Sequence, residues 1–248
     1  MNPALAAVAF VPGLALGSFL NVVVARVPLG RSIVSPGSAC MSCDATLAWY
    51  DNVPLLSYAL LRGRCRSCGA AIPWKYPLVE LATALLVAAC VLVFGLTWNA
   101  AVAALFCAAL VAVSVTDFER RIIPNKIVLP VAVVVLAAQT LLEPSVEWAL
   151  AGLGASGFLL VAALAYPAGM GMGDVKLALL LGVMLGRVVP VALMLGMLAA
   201  LVPAVVLLVR HGQAGRKMGI PFGPFLALGG VVGLFAGESL LDSYLSLL

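Results

Sequence analysis

Eight stretches of nearly unbroken apolar residues run along the chain, at about 4–25, 77–96, 99–116, 126–142, 148–167, 174–188, 190–209 and 223–247. A helix needs about 20 apolar residues to cross the hydrocarbon of a bilayer, and most of the stretches are near that length. The short alternating segments of a transmembrane barrel are absent. The pattern predicts an all-α polytopic membrane protein with about eight transmembrane helices. The sixth stretch is short and holds Gly182 and Gly186, so its junction with the seventh is the least defined. One long polar segment, 26–76, separates the first two helices. Three regions follow: a first transmembrane helix at 1–25, a small polar domain at 26–76, and a membrane domain at 77–248.

Composition narrows the class further. Hydrophobic residues make up 64% of the chain and charged residues 10%, against about 45–50% and about 25% in soluble domains. An ordinary cytosolic enzyme is thereby excluded. A mean hydropathy of +1.18 excludes disorder. The net charge of +4 does not point to a nucleic-acid partner.

Where the charges sit is more telling. Lys and Arg divide 13 to 1 between the two sets of connections, with only Arg187 in the smaller set. The positive-inside rule places the larger set in the cytoplasm. That set comprises Arg26, Arg31, Arg62, Arg64, Arg66, Lys75, Arg120, Arg121, Lys126, Lys176, Arg210, Arg216 and Lys217. No basic residue precedes the first stretch, so it is expected to be an uncleaved anchor with its N-terminus outside. The 26–76 domain is then cytoplasmic.

That domain contains Cys40-Met-Ser-Cys43 and, after 21 intervening residues, Cys65-Arg-Ser-Cys68. Two such pairs can supply four thiolates to a tetrahedral zinc. A reducing cytoplasm disfavours stable disulfides, and no βαβ unit is visible around either pair for a redox dithiol. A segment of this size is small for a hydrophobic core, and a metal is a usual remedy. Four thiolates leave no open position, so zinc there is expected to be structural. Gly69 follows the second pair, where a tight turn uses its freedom at positive φ. Cys90 and Cys107 lie within apolar stretches and read as small buried hydrophobes.

Carboxylates at bilayer depth are costly and each needs an account. Asp117 ends the third stretch and Asp174 opens the sixth, behind Gly169, Gly171 and Gly173. Both fall on the cytoplasmic side of the expected topology, so both can sit at one depth. Two closely apposed carboxylates cannot both ionise and share a proton. The ionised member can take a proton from water while the protonated one polarises a carbonyl. Glu119, Arg120 and Arg121 read as a solvated interfacial cluster, and Lys176 as a side chain reaching for head groups. Asp174 also suits a helix N-terminus. The glycines are spaced GxGxG, not the GxGxxG of a dinucleotide loop. His211 is the only histidine and carries no catalytic proposal.

Paired acids beside Gly-rich helices also suit a proton-coupled transporter, although no two-half repeat is visible. A zinc-dependent membrane assembly factor without enzymatic activity is a third reading. Gly13 and Gly17, Gly182 and Gly186, and Gly229, Gly233 and Gly237 recur at intervals of four, a spacing that lets helices approach closely, within the chain rather than between copies.

Several motifs, in order, resemble the type IV prepilin peptidases. They are Gly17-Ser18-Phe19-Leu20-Asn21 with Arg26 and Pro28, Asn52-Val53-Pro54, Gly63 through Gly69, Ile72 through Glu80, Asp117 through Pro124, Gly171-Met172-Gly173-Asp174, and Ile220 through Ala227. The Gly171–Asp174 stretch matches the GxGD signature of intramembrane aspartyl proteases. Met41 stands where the family often has proline, and Asn125 where it often has aspartate. The resemblance implies a bacterial inner-membrane endopeptidase whose catalytic residues are Asp117 and Asp174, facing the cytoplasm. Its substrates would be prepilins and pseudopilins of type IV pili or type II secretion, cut after a glycine at the membrane boundary. It also implies a second activity, methylation of the new N-terminus from S-adenosylmethionine, associated with the N-terminal cytoplasmic region.

Overall fold

The computed structural model describes residues 3–167, 169–212 and 219–246. Among the described residues the chain forms nine α-helices and no strand: α1 Pro3–Arg26, α2 Leu56–Leu60, α3 Lys75–Phe94, α4 Trp98–Arg120, α5 Asn125–Leu142, α6 Glu147–Ala165, α7 Met172–Leu185, α8 Val189–His211 and α9 Gly223–Leu245. Arg216 and Lys217 of the positive set, and the last residue of the stretch expected to end at 247, lie outside the described residues.

Seven helical stretches are long and apolar enough to cross a membrane. One of them, Met172–His211, is 40 residues long, about twice what a crossing needs. It is divided where the sequence suggested: α7 ends at Gly186 with φ +54, a short 3₁₀ turn follows at Gly186–Val188, and Pro190 opens α8. Glycine takes that left-handed conformation without steric penalty, and proline at the first helical turn lacks an N–H that would be unpaired anyway. The expected eight spans thus correspond to α1 and α3 to α9, of which α7, with 14 residues, is the short one. α4 runs further than its apolar stretch, carrying Asp117 inside the helix, and ends only at Arg120, before Arg121 with φ +55.

The chain divides into two compact units, Met1–Ala112 and Val113–Leu248. In the first, α1 lies along α3. A Cβ at Gly17 would stand 2.6 Å from the Glu80 Cα, and one at Gly13 would stand 2.8 Å from the Ala84 Cα. The backbones touch, which is what the four-residue glycine spacing permits. A polar bond adds to this contact, Asn21 Nδ2 of α1 donating to the Tyr76 carbonyl of α3 at 3.2 Å. The segment between the two helices is fastened to α3 by the Leu55 N–H, which donates to Glu80 Oε2 at 2.9 Å.

In the second unit α7 is the central helix, with ten of its 14 residues buried and α5, α6, α8 and α9 around it. α6 and α7 meet at Gly152 and Gly182, and α8 and α9 meet at Gly196 and Gly229. Gly233 faces Ala192 and Leu185, and Gly237 faces Val188. The glycine stripes are used up inside the chain. A Cβ at Gly182 would lie 2.5 Å from the Ala151 carbonyl oxygen and from the Gly152 Cα, both backbone atoms. Gly182→Leu is therefore expected to lower stability by about 3 kcal/mol through overpacking, read as an earlier unfolding midpoint in detergent.

Candidate active site and metal centre

The two cysteine pairs fold as copies of one turn. Around the first, Ala39 bridges to Thr46, the Cys40 N–H donates to the Ala45 carbonyl at 2.9 Å, and the Asp44 N–H donates to the Cys40 carbonyl at 3.0 Å. Around the second, Arg64 bridges to Ala71, the Cys65 N–H donates to the Ala70 carbonyl at 2.8 Å, and the Gly69 N–H donates to the Cys65 carbonyl at 2.9 Å. The residue after each second cysteine has positive φ, +53 at Asp44 and +70 at Gly69. Glycine and aspartate are among the residues that tolerate this conformation.

These turns aim four sulfurs at one point. All four Sγ atoms lie within 4.8 Å of one another, and Cys40 and Cys68 are 3.8 Å apart. A zinc–sulfur length of about 2.3 Å gives a tetrahedron edge of about 3.8 Å, so the cluster has the size of a zinc site. Its electrostatics ask for a cation. The backbone N–H groups of Ser42 and Cys43, followed by the Cys65 thiol, lower Cys40 to about 6. The Ala45 N–H lowers Cys43 too, but the thiols of Cys68 and Cys40 outweigh it and push Cys43 up to about 12. One thiolate is accommodated and the next is opposed, which is the charge balance a divalent ion corrects. The residues present therefore fit zinc.

Side chains brace the second turn. Arg66 Nε and Nη2 donate to Asp51 Oδ1 at 3.0 and 2.7 Å, and the guanidinium lies 5.5 Å from the Tyr50 ring centroid. The Asp51 carboxylate holds the Arg66 charge more firmly than usual.

The carboxylates expected to act together lie in the second unit, and both are buried. Asp117 Oδ2 accepts the Gly223 N–H at 2.8 Å, a bond from α4 to the first residue of α9 across 106 positions. Asp174, third residue of α7, accepts the Gly171 N–H on Oδ2 at 3.0 Å, and its own N–H donates to the Gly171 carbonyl at 3.1 Å. This is the reach-back of a helix-capping carboxylate. Ile123, in the turn between α4 and α5, fits against both glycines. A Cβ at Gly173 would stand 2.8 Å from the Ile123 Cβ, and one at Gly223 would stand 3.2 Å from its Cδ1. Ile123 thus packs against the residue before Asp174 and against the residue whose N–H holds Asp117, which brings both acids to one neighbourhood. Each spends one of its roughly four lone-pair sites on a backbone donor, leaving the rest to a water or a substrate.

Two partners escape the sequence reading. Gly223 belongs to a quoted motif, but its N–H as the support of Asp117 is visible only in three dimensions. Lys176, expected to reach for head groups, instead donates from Nζ to Asn125 Oδ1 at 2.9 Å, joining α7 to the start of α5. A Cβ at Gly223 would stand 2.9 Å from Asp117 Oδ2. Gly223→Ala is accordingly expected to displace that carboxylate and cut any activity resting on it by about 10- to 100-fold, in a protein that still folds; a turnover assay beside a thermal melt checks this.

Residues 11–94 match the Bacterial Peptidase A24 N-terminal domain, and residues 104–209 match the Type IV leader peptidase family. The chain is similar to the prepilin leader peptidase/N-methyltransferase of Bacillus subtilis, 35% identical over 96% of this chain and 97% of that protein. It is also similar to the proteins of the same name from Myxococcus xanthus, 40% identical over 87% of this chain and 67% of that one, and from Pseudomonas aeruginosa, 37% identical over 94% and 91%. No solved structure matches.

Proposed function

Because the chain belongs to the type IV leader peptidase family, we propose that it cleaves the leaders of prepilins and pseudopilins after a glycine, by water activation between Asp117 and Asp174, and then methylates the new N-terminus. The observation that carries the cleavage reading is the pair of buried carboxylates, each fixed by a backbone N–H and both gathered around Ile123. The matched families and relatives lend no support to a transporter.

In the proposed reaction the ionised aspartate takes a proton from a water as its oxygen bonds to the scissile carbonyl carbon. The protonated aspartate donates to the carbonyl oxygen. Collapse of the tetrahedral intermediate breaks the C–N bond as the proton taken from water passes to the leaving amine and one hydroxyl of the intermediate returns its proton to the other aspartate. The Gly171 and Gly223 N–H groups hold the carboxylates in position without side-chain freedom. Cys40, Cys43, Cys65 and Cys68 would hold a structural zinc that organises the segment between α1 and α3. For the second activity S-adenosylmethionine would supply a methyl group to the freed amine.

The distribution of Lys and Arg supports a cytoplasmic zinc segment and active site, with the N-terminus outside. A substrate with a polar leader and an apolar helix after it would then present its scissile bond at the depth of the aspartates. Co-expression with a prepilin, followed by mass spectrometry of the product's N-terminus, tests both steps. The expected product begins after a glycine and carries one added methyl group. An uncut prepilin would refute the peptidase reading, and a cut but unmethylated one would refute only the second.

A further inference from the structure

The segment between α1 and α3 carries an apolar face that none of the described residues covers. It lies on α2. The inner side of this helix is tied down: Ser57 Oγ donates to the Tyr50 carbonyl at 2.7 Å and accepts the Val53 N–H at 3.1 Å, and Tyr58 Oη donates to the Ile72 carbonyl at 3.4 Å. On the other side Leu56, Ala59 and Leu60 share one helical face and all are exposed, Leu60 to 73%.

The start of α2 fixes its depth. Leu55, the residue before it, has φ +58, rare for a leucine, and its N–H donates to Glu80. Glu80 is the sixth residue of α3, a helix of 20 residues and so about 30 Å long, the thickness of the hydrocarbon. The Glu80 Cα therefore lies about 7 Å beyond Lys75 along a membrane-crossing helix, and its side chain tilts back toward the helix start. The Leu55–Glu80 bond holds α2 at the boundary between head groups and acyl chains.

The flanks have the chemistry of that boundary. Trp49 precedes α2 and is 82% exposed; Trp74 stands at the mouth of α3 and is 71% exposed. Arg62 and Arg64 follow α2 directly and are exposed, while Asp51, the acid nearest α2 in sequence, is taken by Arg66. Aromatic and basic residues around a small apolar face suit an anionic lipid surface.

We propose that α2 is a membrane-surface wedge, with Leu56 and Leu60 entering the acyl boundary of the leaflet that α3 enters. The zinc segment then rests on the bilayer through a contact of its own, in addition to its covalent links to α1 and α3.

The test uses the full chain with Trp49, Trp74, Trp98 and Trp148 changed to phenylalanine and a single reporter introduced as Leu60→Trp or, separately, Leu56→Trp. Both reporter positions are exposed, so neither disturbs a packed contact. The protein is reconstituted without prepilin in vesicles of phosphatidylcholine and phosphatidylglycerol brominated on the acyl chains. Emission is expected to fall by about twofold or more relative to unbrominated vesicles, as for a ring at the acyl boundary. Unquenched emission from both reporters would overturn the proposal. So would emission that brominated lipid leaves unchanged but that shifts to the blue when a prepilin is added, since the face would then dock a protein helix.

Discussion

Asp174→Asn is expected to abolish leader cleavage, with a loss of at least about a thousandfold, and Asp117→Asn the same. The substitution separates chemistry from architecture. An asparagine oxygen still accepts the Gly171 N–H that Asp174 accepts, so the first turn of α7 keeps its cap, and likewise at position 117 with the Gly223 N–H. In the proposed mechanism, what each variant loses is one member of a pair that shares a single proton. Because the two act as a unit, the double variant is expected to be no worse than either single one. Prepilin cleavage measured beside the unfolding midpoint decides the matter: activity should vanish while stability stays within about 1 kcal/mol of the parent. Full activity in either variant removes the dyad.

Cys65→Ser is the second large effect. Cys65 is the buried member of the cluster. Zinc held by four thiolates contributes about 10–16 kcal/mol of apparent binding energy in small domains, and a polar segment of this size has little core to fall back on. Losing one ligand is therefore expected to release the metal and open the segment. Metal analysis should fall from about one equivalent per chain to none, and trypsin should cut at the exposed Arg62 and Arg64 faster than in the parent, where the folded turn holds their backbone. A variant that kept its metal and its protease resistance would show that the sulfurs are clustered for another reason.

The sequence displays what is local or expensive. Apolar runs are legible because each charge inside a bilayer must be justified, and Asp117 and Asp174 stand out for the same reason. The four cysteines are legible because ligand spacing is set by the turn that carries them. The break between α7 and α8 was legible only to within a few residues, between 188 and 190 in the apolar pattern, whereas the helix leaves its course at Gly186, which takes positive φ. Contacts between distant segments were not legible. Nothing around Gly223 says that its N–H meets Asp117, because that bond depends on where α9 begins relative to α4. Asp44 lacks the glycine that marks its counterpart Gly69, so the likeness of the two turns shows only in their bonding. Glu80 closes one stretch quoted for its family likeness and Leu55 directly follows another, but the bond between them needs the folded segment.

With 14 residues, α7 rises only about 21 Å, roughly 9 Å less than the oily layer around it. A helix that short obliges the lipid to dip or its neighbours to fill in. Here the neighbours α5, α6, α8 and α9 take up the difference, since they surround it, and Asp174 lies in its first turn. A hydrolase sunk in oil must be provisioned with its smaller reactant, and a central helix that stops short is one way to admit it among those neighbours.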